Sequence, residues 1–208
     1  IYFEGDTTSY YLQYDTGSPY TVFYSESIKN IFQISVNEKI AKTSFYIGKT
    51  KVTSDKFKIY NQGNKKDDLS LKIIGTIGAD ILEDRKTLIN FKENYIALNL
   101  AKTPSQFQTK LFDFKFKKRK IIFKGLLKDK EESFLFDSGT SAYELLTNKE
   151  VWTDLKLPNS KIDLEKSQSW DKVLTTYTTN CNQKIQFQNQ EITLNKVTYV
   201  EGFSQVQY

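Results

Sequence analysis

Tyr11-Leu12-Gln13-Tyr14-Asp15-Thr16-Gly17-Ser18 has a counterpart midway along the chain, Phe134-Leu135-Phe136-Asp137-Ser138-Gly139-Thr140. In both stretches an apolar segment ends in an aromatic residue and runs into Asp-(Thr/Ser)-Gly-(Ser/Thr). Each is preceded by the same I-x-F-x-G pattern, Ile1-Tyr2-Phe3-Glu4-Gly5 and Ile121-Ile122-Phe123-Lys124-Gly125. At average residue usage one such tetrapeptide arises by chance in roughly one chain in a hundred of this length, and two in about one in ten thousand. A second pair lies further on in each half. Val52-Thr53-Ser54-Asp55-Lys56-Phe57-Lys58-Ile59-Tyr60 resembles Ile192-Thr193-Leu194-Asn195-Lys196-Val197-Thr198-Tyr199-Val200, and the order of the pairs is conserved between halves. Two collinear repeats predict a duplicated architecture. The first half covers about residues 1–105 and the second 106–208, with Ala101-Lys102-Thr103-Pro104-Ser105 as the linker.

The elements between the repeats read as β-structure. Tyr and Phe are abundant, with 13 and 15 copies, against 9 glycines, a balance that favours pleated strands. Segments Tyr20–Tyr24, Lys39–Ile47, Val52–Tyr60 and Tyr95–Leu100 are aromatic or β-branched and are separated by polar or glycine-bearing stretches. Phe112, Phe114 and Phe116 alternate with charge, as in a half-exposed strand. Helical periodicity is poor; Val151–Leu157 is the one short helix expected, stopped by Pro158. The first half also carries Ile73-Ile74-Gly75-Thr76-Ile77-Gly78-Ala79-Asp80-Ile81-Leu82 after its V-T-x-D-K strand. The same step from Ile192 leads to roughly position 215, past Tyr208, so the second half is expected to lack its closing segment. The 208 residues include no methionine, which leads us to expect a processed chain or one with residues omitted.

Composition removes several function classes. There is no histidine and a single cysteine, Cys181, so an intramolecular disulfide, most zinc sites and every Ser-His or Cys-His triad drop out. Hydrolytic chemistry would have to rest on carboxylates, hydroxyls or lysine. The net charge of +5 is almost wholly lysine, Arg85 and Arg119 being the only arginines. The basic cluster Lys115–Lys120 alternates with apolar residues and reads as a solvated edge or linker; nucleic acid is not an expected partner. No stretch approaches the roughly 18 apolar residues of a membrane span, and the N-terminus has no secretory-signal layout. The lysine-rich, disulfide-free composition suggests a bacterial envelope or secreted protein.

The repeated tetrapeptide has its own chemistry. A strand delivers the aspartate to a tight turn, and glycine lets the backbone reverse and approach a ligand. Neighbouring hydroxyls can orient the carboxylate. Two such loops meeting face to face would bring the carboxylates within a few ångströms, where both cannot ionise and the pair shares one proton.

Asp15-Thr16-Gly17-Ser18 and Asp137-Ser138-Gly139-Thr140-Ser141 resemble the two active-site signatures of pepsin-like aspartic proteases. Ile73–Leu82, with Leu88-Ile89-Asn90-Phe91 and Tyr95-Ile96-Ala97-Leu98, is similar to the apolar-Gly element that supports the active-site loop in the smaller retropepsin-type lobes. The resemblance implies an all-β, bilobal fold with pseudo-two-fold symmetry and lobes close in size to a retropepsin protomer. It implies an aspartic endopeptidase that needs no metal or cofactor and works as a monomer on a peptide or protein held in the inter-lobe cleft. Asp15 and Asp137 would hold the catalytic water. Thr16 and Ser138 would cross-brace the loops, Ser18 and Thr140 would bond the outer carboxylate oxygens, and Gly17 and Gly139 would offer backbone to substrate. The flap hairpin is expected between Ser35 and Val52, with Tyr46 and Gly48 at its tip.

Other candidates carry plainer readings. Asp80 reads as a local cap or turn residue. Asp67-Asp68 and Glu131-Glu132 read as solvated loops, and Trp152 and Trp170 as core or packing residues. Two alternatives stay open at this point: a non-catalytic peptide-binding or inhibitory protein on the same fold, and a glycosidase using the same two carboxylates.

Overall fold

A computed structural model describes residues 1–61, 72–108, 113–169 and 172–201 of the chain. Asp67, Asp68, Phe112 and Trp170 lie outside the described residues. The protein is mostly β-strand, with only short helical turns. It gathers into two compact units that do not divide the sequence at a single point. The first takes Ile1–Thr109 together with Phe116–Ile121 and Asp137–Gly139; the second takes Lys110–Lys115, Ile122–Phe136 and Thr140–Tyr208.

In the first unit, β1 (Tyr11–Tyr14), β2 (Val22–Tyr24), β3 (Ser35–Asn37), β4 (Ile40–Ile47), β5 (Thr50–Tyr60) and β6 (Ile73–Ile77) form one sheet in the order β1-β6-β2-β5-β4-β3. A single helical turn, α1 (Ser25–Ile28), follows β2, and β7 (Leu88–Asn90) pairs with β8 (Tyr95–Ala97) as a separate hairpin. The period-2 pattern of β4 puts Ala41, Thr43 and Phe45 inward, as expected when one face of a pleated strand meets the core. Phe45 is fully buried and meets Phe3, Phe23 and Phe57 at ring-centroid distances of 6.5, 6.2 and 5.6 Å. β6 runs parallel to β1 (Tyr14 beside Ile77) and antiparallel to β2 (Phe23 beside Gly75). Its near-continuous apolar run, Ile73 to Ile77, is what a central strand covered on both faces requires. Gly75 has no room for a side chain, since a Cβ there would collide with the backbone of the neighbouring strand at Val22 O and lie 3.0 Å from Phe23 Cα.

Further along the chain, β9 (Lys115–Lys117) turns through Lys118 and Arg119 into β10 (Lys120–Leu127). Both turn residues have positive φ, 52° and 60°, the geometry of a tight two-residue hairpin. The basic cluster is thus a hairpin turn with its flanking strands. In the second unit β11 (Lys130–Leu135), β12 (Leu146–Thr147), β13 (Ile162–Ser169), β14 (Lys172–Phe187) and β15 (Gln190–Glu201) complete the sheet, in the order β11-β10-β14-β15-β12, with β13 on β14. Helix α2 (Lys149–Leu155) starts two residues before the expected position because the Asn148 side chain accepts a hydrogen bond from Val151 N at 2.9 Å and caps it. Trp152 on α2 is buried and meets Tyr199 edge-on at 5.0 Å, within a core that includes Leu155, Cys181, Phe187 and Val197. Glu131 and Glu132 stand on β11 rather than in a loop, exposed on an edge strand where charge is tolerated.

The second sequence repeat has the same register in each unit. Val52 lies opposite Phe45 in an antiparallel hairpin, and Ile192 lies opposite Ile185 in another. Each of these strands then takes a short parallel neighbour at the same offset, Val22 beside Lys58 and Leu146 beside Thr198. Among the described residues no helix is long and apolar enough to cross a membrane.

Candidate active site

β1 carries the chain to Asp15, whose N–H donates to Ile77 O at 3.0 Å and so fixes the loop against the end of β6. The turn that follows aims two backbone donors back at the carboxylate: Gly17 N and Ser18 N reach Asp15 Oδ1 at 2.9 and 3.1 Å. The Asp137–Gly139 segment, which belongs to the same unit, repeats the device, with Gly139 N donating to Asp137 Oδ1 at 2.9 Å. N–H groups placed in this way hold a carboxylate in one rotamer.

Asp15 and Asp137 are close enough to act on each other, with Gly17 lying against the Asp137 carboxyl and Gly139 against the Asp15 carboxyl. Burial, and then the adjacent Asp15 carboxylate, push the Asp137 carboxyl up to about 6, against the opposing pull of the Gly139 and Gly17 N–H groups. Two carboxyls this close with one raised share a proton between them. The pair can then take a proton with one oxygen while donating one from another, at a single bound molecule.

The glycines are dictated by this approach. A Cβ on Gly139 would lie 2.6 Å from Asp15 Cγ, and one on Gly17 would lie 2.5 Å from Asp137 Oδ1. Each glycine sits against the opposite carboxylate, so a Cβ at either position would force that carboxyl to move. The hydroxyl residues between aspartate and glycine lock the loops reciprocally. Thr16 N donates to Ser138 Oγ and Ser138 N to Thr16 Oγ1, both at 3.0 Å, while Ser138 Oγ donates to Tyr14 O at 3.1 Å. Thr16 has no solvent exposure, which lets these bonds form without competition from water.

Ser18, Thr140, Tyr46 and Gly48 have these further contacts. Ser18 reaches Asp15 through its backbone N–H, at the same Oδ1 that Gly17 N bonds, whereas its hydroxyl donates to Tyr20 O at 2.8 Å rather than to a carboxylate. Thr140 belongs to the second unit, where its carbonyl accepts from Tyr143 N. Tyr46 and Gly48 do form the tip of a hairpin, β4–β5, but its partners are on the N-terminal segment. Tyr2 and Tyr46 exchange backbone hydrogen bonds of 3.2 and 2.9 Å, their rings stack at 5.0 Å, and Tyr2 OH donates to Gly48 O. The neighbouring Ile1 pairs with Tyr10.

Two features escaped the sequence reading. Asp80 is no local cap: its Oδ2 accepts from Thr21 N at 2.9 Å and its Oδ1 from Thr21 Oγ1 at 2.7 Å. The partners are 59 residues apart, and nothing in the spacing of Gly78-Ala79-Asp80 names Thr21. Arg119 stacks over Tyr20 at 5.0 Å and holds Glu83 Oε2 through Nε and Nη2 at 3.0 and 2.8 Å. Among the described residues no group of three or more His, Cys, Asp or Glu side chains is placed to hold a metal ion. No protein-family model, curated protein or solved structure matches the chain.

Proposed function

We propose that the protein is an aspartic endopeptidase of the pepsin-like or retropepsin-like kind, the two halves of its sequence being copies within a duplicated fold. The single observation that carries this reading is the contact of Asp15 with Asp137, one of them raised to about 6, on loops that brace each other through Thr16 and Ser138. The shared register of β5 and β15 supports the duplication. A pure binding protein has no use for two acids forced together at an energetic cost, and the glycosidase reading offers no reason for two glycines that exist to let the acids touch.

In this reading the ionised carboxylate draws a proton from a bound water as its oxygen attacks the scissile carbonyl carbon. The protonated carboxyl gives its proton to the carbonyl oxygen, producing a neutral gem-diol. Collapse returns a hydroxyl proton to one carboxylate and moves the other carboxyl's proton to the amide nitrogen. The C–N bond breaks, releasing a carboxylic acid and an amine with the pair restored to one proton. Fixed N–H groups at Gly17, Ser18 and Gly139 need no rearrangement during these steps, which is the source of electrostatic preorganisation.

Asp15→Asn and Asp137→Asn, each assayed on a fluorogenic peptide library at pH 4–6, test the proposal. Loss of cleavage by at least 1000-fold with the circular dichroism spectrum retained is expected, together with binding of a statine-type inhibitor to the wild type. Full activity in either variant would refute the assignment.

A further inference from the structure

We infer that Asp80 is a positioning residue for the acid pair, a role that rests on the peptidase reading for its kinetic meaning but on contacts within the first unit for its geometry. The loop from Asp15 to Thr21 is stitched to the end of β6 and the 3-10 turn that follows it (Ala79–Leu82) at successive points. Asp15 N bonds Ile77 O, Ala79 N bonds Ser18 O at 2.8 Å, and Asp80 grips Thr21 through both carboxylate oxygens. Thr21 Oγ1 in turn accepts from Gly78 N at 3.2 Å, so one hydroxyl links the two segments in both directions. Thr21 is fully buried, and its backbone N–H has its partner in Asp80; without that carboxylate the buried N–H and the hydroxyl proton would both lose their acceptor.

What lies between the stitches is the part that matters. Gly17 and Ser18, whose N–H groups orient Asp15 and, for Gly17, also reach Asp137, sit between the Asp15 anchor and the Ser18 and Thr21 anchors. The Ser18 hydroxyl, bonded to Tyr20 O, shortens the path from Thr21 back to these donors. Asp80 touches neither Asp15 nor Asp137 in this chain of bonds; it acts by setting the course of the backbone that does. An aspartate suits the task because it accepts from both Thr21 groups at once. Asparagine can keep one of these bonds and direct its NH₂ at the hydroxyl, which has a free lone pair to accept it. Alanine can do neither.

The test compares Asp80→Ala, Asp80→Asn and Thr21→Val with the wild type in two readouts: steady-state peptide cleavage, and carboxyl titration of the acid pair followed by ¹³C NMR. Asp80→Ala is expected to lower kcat by ten- to a hundredfold, the scale of an ångström-sized misplacement, with KM within threefold, and to move the carboxyl titration by at least half a pH unit. Asp80→Asn should restore most of both, and Thr21→Val should fall between. If Asp80→Ala does not fold, the other two variants carry the comparison, and wild-type behaviour in both of them overturns the inference. So does a folded Asp80→Ala protein with unchanged titration and unchanged kcat. A wild-type protein that cleaves no peptide, while the titration still moves in Asp80→Ala, sinks the peptidase reading and leaves the positioning role standing.

Discussion

Replacing Gly17 by alanine separates the acid pair from the fold that carries it. The new methyl carbon would lie 2.5 Å from Asp137 Oδ1, whereas carbon and oxygen atoms in ordinary contact keep about 3.4 Å or more. The obstructing atoms belong to a side chain rather than to backbone, so the cheap response is retreat of the Asp137 carboxyl by about 1 Å. A retreat of that size costs on the order of a hundredfold in rate, equivalent to about 2.7 kcal/mol of activation free energy. Stability should change little: φ at Gly17 is outside the left-handed region, and the lower entropy of an unfolded chain bearing alanine offsets part of the crowding. The opposite control is Gly5→Ala. There φ is +77° and the space is empty, so about 1 kcal/mol of backbone strain is expected with no effect on turnover. The assay is kcat/KM on a fluorogenic peptide beside a urea denaturation curve. Gly17→Ala cleaving within threefold of wild type would mean that the acids need not touch, and the reasoning from their contact would fail.

The raised Asp137 carboxyl makes stability depend on pH in a defined direction. With a folded value of about 6 against about 3.9 unfolded, its stabilising share is complete below about pH 4 and is lost as pH rises through 6. Full burial would make this about 3 kcal/mol; solvent screening of a half-buried carboxyl reduces it to roughly 2. Urea midpoints from pH 3.5 to 7.5 should show the fall, and Asp137→Asn should flatten it. In the core, Phe45→Ala removes a fully buried ring that touches Phe3, Phe23 and Phe57 and should cost about 3–5 kcal/mol, read as a lowered urea midpoint.

The strands and the acid pair were legible because their signals are local and repeated. An apolar run ending at an Asp-x-Gly turn states its own geometry, and its recurrence in the second half states that geometry twice. Hydrogen-bond partners chosen across the fold were not legible. Asp80 has the composition of a turn residue, and only the register of β6 against β2 puts Thr21 in front of it. Ser18 has one hydroxyl proton, and the course of its own turn awards it to Tyr20 O rather than to a carboxylate. The β4–β5 tip has the residues of a flap, yet its position follows from Tyr2, which adds a strand-like pairing that no property of Tyr46 foretells. Glu131 and Glu132 look like loop residues because charge is equally at home on an exposed edge strand.

That Asp137–Gly139 clusters with residues from the front of the chain has a bearing on synthesis. Ribosomes extend a polypeptide by about 5–20 residues each second, front end first. Through that interval a nascent chain that has emerged only as far as Thr109 has one carboxylate and half of each reciprocal lock. It gains the second acid seconds later, when more of the polypeptide follows. The acid pair is therefore withheld from the growing chain by the order in which its parts arrive.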